Sequence, residues 1–220
     1  MNTRVTEITD EGEHIKITDP LQNNFLCKLV IVALPPKLLL ATLLFSPAIP
    51  QQLQAVMRQT QTLMSGSVKF AVEYKTAFWK DKGFSGSVFN QCGLATEMYD
   101  HTNVEETKFA LKGFLNGTAN HYTFEKRKQK EITQLTHYFG DEALDYVNYN
   151  DKVWNDSYIQ AGEESFLPPH ANNGHAVFGE RYMRNKLLFA STETSAPFGG
   201  YMEGAIPAAN SIVAKVLADW

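Results

Sequence analysis

The chain has 220 residues, 44% hydrophobic and 20% charged, with a formal net charge of −4. That length allows one large domain or two small ones with an ample core, and the charge balance excludes a basic surface for nucleic acid or anionic membrane. No apolar run reaches the roughly 18 residues that span a bilayer, and the two distant cysteines, Cys27 and Cys92, make neither a metal spacing nor a disulfide framework. The start, Met1-Asn-Thr-Arg-Val, lacks an apolar signal region, so a cytoplasmic, reducing location is expected. The six histidines show no ligand spacing, so no metal is expected.

Arg4 to Thr9 and His14 to Thr18 alternate around Asp10-Glu11-Gly12, which predicts a hairpin. Lys28 to Leu34 reads as a short buried strand, and Pro35-Pro36 ends it and can open a helical turn. Pro50 starts a predicted helix over 51–61, with Leu53, Val56 and Met57 on one face. Gly66 to Phe78 alternates as a strand. Val68, Phe70, Val72 and Tyr74 share one face, and Lys69, Ala71 and Glu73 the other. Ser85 to Phe89, Ala95 to Tyr99 and Lys108 to Leu115 are further strands.

Phe124 to Phe139 predicts a helix whose charged start, Glu125-Lys-Arg-Lys-Gln-Lys, reads as a solvated face. Tyr146 to Trp154 returns to extended chain, and Gly162 to Gly179 reads as a long loop. Leu187 to Ala190 is a buried strand, followed by a polar turn, Gly199-Gly200 and a helix beginning near Tyr201. Such a strand asks for a parallel neighbour, and Lys28 to Leu34 is the chief candidate. Pro207 would cost that helix a hydrogen bond unless it falls near the first position. Strands dominate the middle with helices inserted, which predicts an α+β fold.

Val30-Ile-Val-Ala-Leu-Pro-Pro36, Gly66-Ser-Val-Lys-Phe with Trp79 ten residues beyond the lysine, Trp154 with Tyr158 and Gly162, Ser191-Thr-Glu-Thr, and Gly200-Tyr-Met-Glu-Gly-Ala205 occur in that order. Together they resemble the C-terminal half of the flavin monoamine oxidase family. The resemblance implies a three-part organisation. Residues 1–35 would be a hairpin and strand remnant of an FAD-binding domain. Residues 36–180 would be a mixed-sheet substrate domain, and 181–220 the strand and helix that dock FAD.

The resemblance further implies oxidation of a small amine to an imine by hydride transfer to FAD, with oxygen reduced to hydrogen peroxide. It makes Lys69 the lysine that holds water near flavin N5. Composition alone favours a solvent-facing lysine there; the spacing to Trp79 argues for the family role. Val5, Trp154, Glu193, Gly200, Tyr201 and Met202 would contact the cofactor, and Tyr201, Glu164 and Phe166 the substrate. The place of the family's flavin-carrying cysteine, near Glu163, holds none, so FAD would be non-covalent.

The chain contains no Gly-x-Gly-x-x-Gly, the turn that grips a dinucleotide pyrophosphate. FAD is therefore expected only together with an N-terminal FAD-binding segment, and the polypeptide alone should be inactive. It should pair with that segment or self-associate. A non-catalytic module derived from the substrate domain, or a flavin desaturase or protoporphyrinogen-type oxidase, stays open as an alternative.

Overall fold

In the computed structural model, which describes residues 2–155 and 167–218, the N-terminal alternation forms a hairpin. β1 (Glu7–Asp10) pairs antiparallel with β2 (Ile15–Thr18), placing Ile8 opposite Ile17. Asp10 Oδ1 accepts the Gly12 N–H at 2.9 Å, and Gly12 adopts a φ of 94°. A residue without a Cβ takes that turn at little cost. β3 (Asn24–Cys27) adds to β2, a strand the sequence reading omitted because Phe25 and Leu26 are apolar yet exposed. β4 (Val30–Val32) follows.

Pro36 opens α1 (Pro36–Thr42), where its missing N–H has no partner to lose. β5 (Leu44–Ser46) then pairs parallel with β1, completing the sheet order β3-β2-β1-β5. α2 (Gln51–Arg58) buries Leu53 and Met57, one turn apart.

β6 (Val68–Tyr74) shows the expected alternation, with Val68, Phe70, Val72 and Tyr74 buried. Each such side chain removed from water contributes about 1.5–3 kcal/mol. The strand stops at Tyr74, not Phe78. Phe78 and Trp79 turn into the core on the short α3 (Phe78–Asp81). β7 (Val88–Phe89), β8 (Ala95–Asp100) and β9 (Phe109–Leu115) complete an antiparallel run against β6.

α4 spans Phe124–Phe139, as expected. Thr123 caps its start, accepting the Lys126 N–H, and Gly140, at φ 94°, ends it. The charged start is not uniformly solvated, because Arg127 is buried. β10 (Asn148–Val153) pairs with β6, giving the order β10-β6-β9-β8-β7.

β11 (Leu187–Phe189) is buried throughout and pairs parallel with β4, Leu188 opposite Ile31. Two 3-10 turns, Thr192–Thr194 and Met202–Gly204, lead into α5 (Ala205–Leu217). The helix thus begins four residues after Tyr201. Pro207 sits in its first turn, where no intrahelical partner is due.

The fold is α+β with several sheets. It divides into two compact units, Met1–Ser65 with Asp156–Trp220, and Gly66–Asn155. These boundaries differ from the expected division at 35 and 180. Residues 36–65 belong to the first unit because Leu39, Leu53 and Met57 share its core with Val30, Phe178 and Leu187.

Candidate functional site

In the first unit, buried polar atoms gather around the turn that follows β11. Glu193, on the Thr192–Thr194 turn, is 3% exposed, and burial raises its carboxyl above the usual carboxylate range. Glu193 Oε2, Ser191 Oγ and both amide atoms of Asn173 are buried without a well-aligned hydrogen-bond partner among the described residues, although the Ser191 hydroxyl lies close enough to lower the Glu193 carboxyl against the effect of burial. Unpartnered polar atoms inside a protein cost free energy unless something satisfies them, and four across two adjoining turns point to a ligand.

The backbone here is packed too tightly for side chains. A Cβ on Gly174 would sit 2.4 Å from Ala196 Cα, and one on Gly204 2.3 Å from the Phe198 carbonyl. Gly200, at φ 85°, abuts the Asn173 amide, 2.9 Å from where its Cβ would lie. The Gly174 N–H donates to the Glu193 carbonyl at 2.8 Å, tying the Asn173–Gly174 turn to the Glu193 turn.

Tyr201 is half-exposed and its hydroxyl lies 3.3 Å from His170 Nε2. The two rings stack, with centroids 5.1 Å apart and a 33° tilt. Met202 projects into solvent at 93% exposure. Val5 lies just before β1, half-buried against the core of the first unit.

In the second unit, Lys69 is solvent-facing, as composition alone favours. It stands on the face of β6 opposite the core and is exposed, its Nζ 5.5 Å from the Phe114 ring centroid. Strand pleating is the reason: Val68 and Phe70 take the inward positions. Beside Lys69 runs a groove of about 400 Å³ that Tyr99, Lys112 and Phe114 also line.

Trp154 closes the β6–β10 ladder, its N–H donating to the Ser67 carbonyl at 2.9 Å, and its buried indole N–H has no partner among the described residues. Glu164 and Phe166 lie outside the described residues. Sequence reasoning missed His170 and Asn173. Their only signal was the turn-rich run Pro168-Pro-His-Ala-Asn-Asn-Gly174.

The model for flavin containing amine oxidoreductases matches residues 1–217. The chain belongs to that family. It is 29% identical to "Amine oxidase [flavin-containing] A" of Equus caballus over 97% of this chain and 41% of the relative. It is 30% identical to the putrescine oxidase of Kocuria rosea over 86% of this chain and 40% of that one.

A solved putrescine oxidase bound to putrescine superposes with a TM-score of 0.81 at 20% identity, over 99% of this chain and 49% of that one. The chain thus spans about two-fifths of the length of the curated relatives it matches. Among the described residues no helix is long and apolar enough to cross a membrane.

The family implies a flavin, and the turn after β11 fits one. It offers a buried carboxylate oxygen and a hydroxyl, with the unbonded Asn173 amide on the adjoining turn, on a backbone that glycines keep narrow.

Proposed function

We propose that this chain supplies the amine-facing sheet and the flavin-docking turn of an FAD-dependent amine oxidase. The carrying observation is Glu193, buried with a free carboxylate oxygen on the turn that leads to Gly199-Gly200. FAD would be held non-covalently, since the segment around Glu163, the place of the family's flavin-carrying cysteine, holds none. When bound, the flavin supplies the acceptor for the hydride leaving the carbon of a neutral amine, and oxygen is reduced to hydrogen peroxide. The imine product hydrolyses to a carbonyl compound.

The protein's own residues divide the remaining work. Glu193 Oε2 accepts a hydrogen bond from the cofactor, with Ser191 and Asn173 completing the set. Gly199, Gly200 and Gly204 let these turns pack directly against Asn173 and the Phe198 carbonyl, which keeps the polar groups of the site together. Tyr201 and Met202 present exposed apolar surface to the ring system, and Tyr201 doubles as one wall for the amine. Lys69 orients water and relays a proton from the outer face of β6. Val5 and Trp154 join the cofactor contacts, and Glu164 and Phe166 those of the substrate.

The 220 residues carry no pyrophosphate-binding Gly-x-Gly-x-x-Gly, so this polypeptide by itself should bind FAD weakly. Titration of the purified chain with FAD should leave the flavin free and yield no peroxide from amines. A stoichiometric yellow complex, or amine-dependent peroxide, would contradict that statement.

A further inference from the structure

We propose that His170 is the positioning residue for Tyr201, bonding its hydroxyl through Nε2 and covering one face of its ring. The inference rests on the reading of Tyr201 as an amine-pocket wall.

The tautomer follows from geometry. His170 Nδ1 lies 3.0 Å from the Gly199 carbonyl, which can only accept, so Nδ1 carries the proton. Neutral imidazole then has its lone pair on Nε2, and the Tyr201 hydroxyl, 3.3 Å away, is the donor. With centroids 5.1 Å apart the rings are in contact and nothing fits between them. A ligand therefore meets Tyr201 only at its other face or its edge.

The histidine is itself anchored independently of the tyrosine. Its N–H donates to Gln61 Oε1 at 3.0 Å and its carbonyl accepts the Asn173 N–H at 3.1 Å. Its φ is 59°, left-handed, and its Nδ1 lies beside the Gly199-Gly200 segment. The backbone of Tyr201 is pinned too. Its carbonyl accepts the Thr192 hydroxyl, and its N–H donates to the Phe198 carbonyl at 3.0 Å. What remains free in Tyr201 is side-chain rotation, and His170 removes it. A wall fixed beforehand spares the ordering cost at binding.

The test is NMR of the whole chain with labelled histidine ring nitrogens and tyrosine Cζ. His170 should show a protonated Nδ1 and an unprotonated Nε2. Tyr201→Phe should move Nε2 downfield, toward a free lone pair, and leave Nδ1 in place. His170→Gly, which keeps the left-handed backbone, should turn the Tyr201 signals into those of a mobile ring. An Nε2–H tautomer, or an Nε2 resonance indifferent to Tyr201→Phe, overturns the proposal.

Tyr201→Phe removes one exposed hydroxyl, so the outcome does not hinge on how His170→Gly folds. In this chain joined to an N-terminal FAD-binding segment of a family member and loaded with FAD, His170→Phe should raise the amine KM several-fold with kcat unchanged. An unchanged KM beside the expected NMR result rejects Tyr201 as a wall, and not His170 as its anchor.

Discussion

Arg127 on α4 grips Asp151 on β10 through two bonds, Nε to Oδ2 at 2.7 Å and Nη2 to Oδ1 at 2.8 Å. Both side chains are nearly buried, at 9% and 2% exposure, and the third guanidinium nitrogen reaches the Tyr122 carbonyl at 2.5 Å. Removing one partner leaves a buried charge uncompensated. Asp151→Ala should destabilise the Gly66–Asn155 unit by about 3–5 kcal/mol, read as a lower urea midpoint. Replacing both residues with apolar ones should cost less than the single change.

Glu131, one turn on from Arg127, is buried with neither oxygen bonded among the described residues, and burial pushes its carboxyl up to about 8. In the unfolded chain it ionises near 4.5. Stability is full below 4.5. Between these values the folded state holds a proton that the unfolded state has released. Stability should therefore fall as pH rises, by roughly 1.4 kcal/mol per pH unit at most, and level off above about 8. Glu131→Gln should flatten this slope in urea midpoints collected across the range. A wild-type midpoint independent of pH would count against a buried, protonated Glu131.

Gly174 combines a φ of 71° with a Cβ position already filled by the Ala196 backbone. Gly174→Ala should lower stability by at least about 1–2 kcal/mol. Gly117, with nothing near its Cβ, serves as the control, and Gly117→Ala should change the thermal midpoint little.

How much of this was legible in advance depends on what each residue signals locally. The alternation of Val68 to Tyr74 and the capped helix from Phe124 to Phe139 are local periodicities, and both formed where expected. The parallel pairing of β4 with β11 was readable because a wholly apolar strand demands such a neighbour and few runs qualified. β3 hid behind its exposed Phe25 and Leu26, and α3 behind an aromatic run that also suits a strand.

The site was legible in part. Glu193, Gly200 and Tyr201 stood in a recognisable motif. Asn173 and His170 gained their place only through contacts with Gly199 to Tyr201, distant in sequence and silent in periodicity. Lys69 was placed on the right strand and the right face. Its exposure followed from the same pleat that buried its neighbours.

Because Lys69 is exposed and bonded to no acidic partner among the described residues, its role separates cleanly from stability. Lys69→Met should leave the unfolding free energy, read by urea denaturation, within about 0.5 kcal/mol of the wild type. In this chain joined to an N-terminal FAD-binding segment and loaded with FAD, it should slow amine oxidation on the order of 10²-fold or more. Equal rates for the two proteins would remove Lys69 from the chemistry.

The most direct measurement joins this chain to a Gly-x-Gly-x-x-Gly FAD-binding segment from a family member, loads it with FAD, and follows the flavin spectrum on anaerobic addition of amines. The account expects the oxidised flavin band to bleach with at least one small amine, and Glu193→Gln to weaken FAD retention. A chimera that retains FAD fully with Glu193→Gln, and whose flavin no amine bleaches, would contradict it.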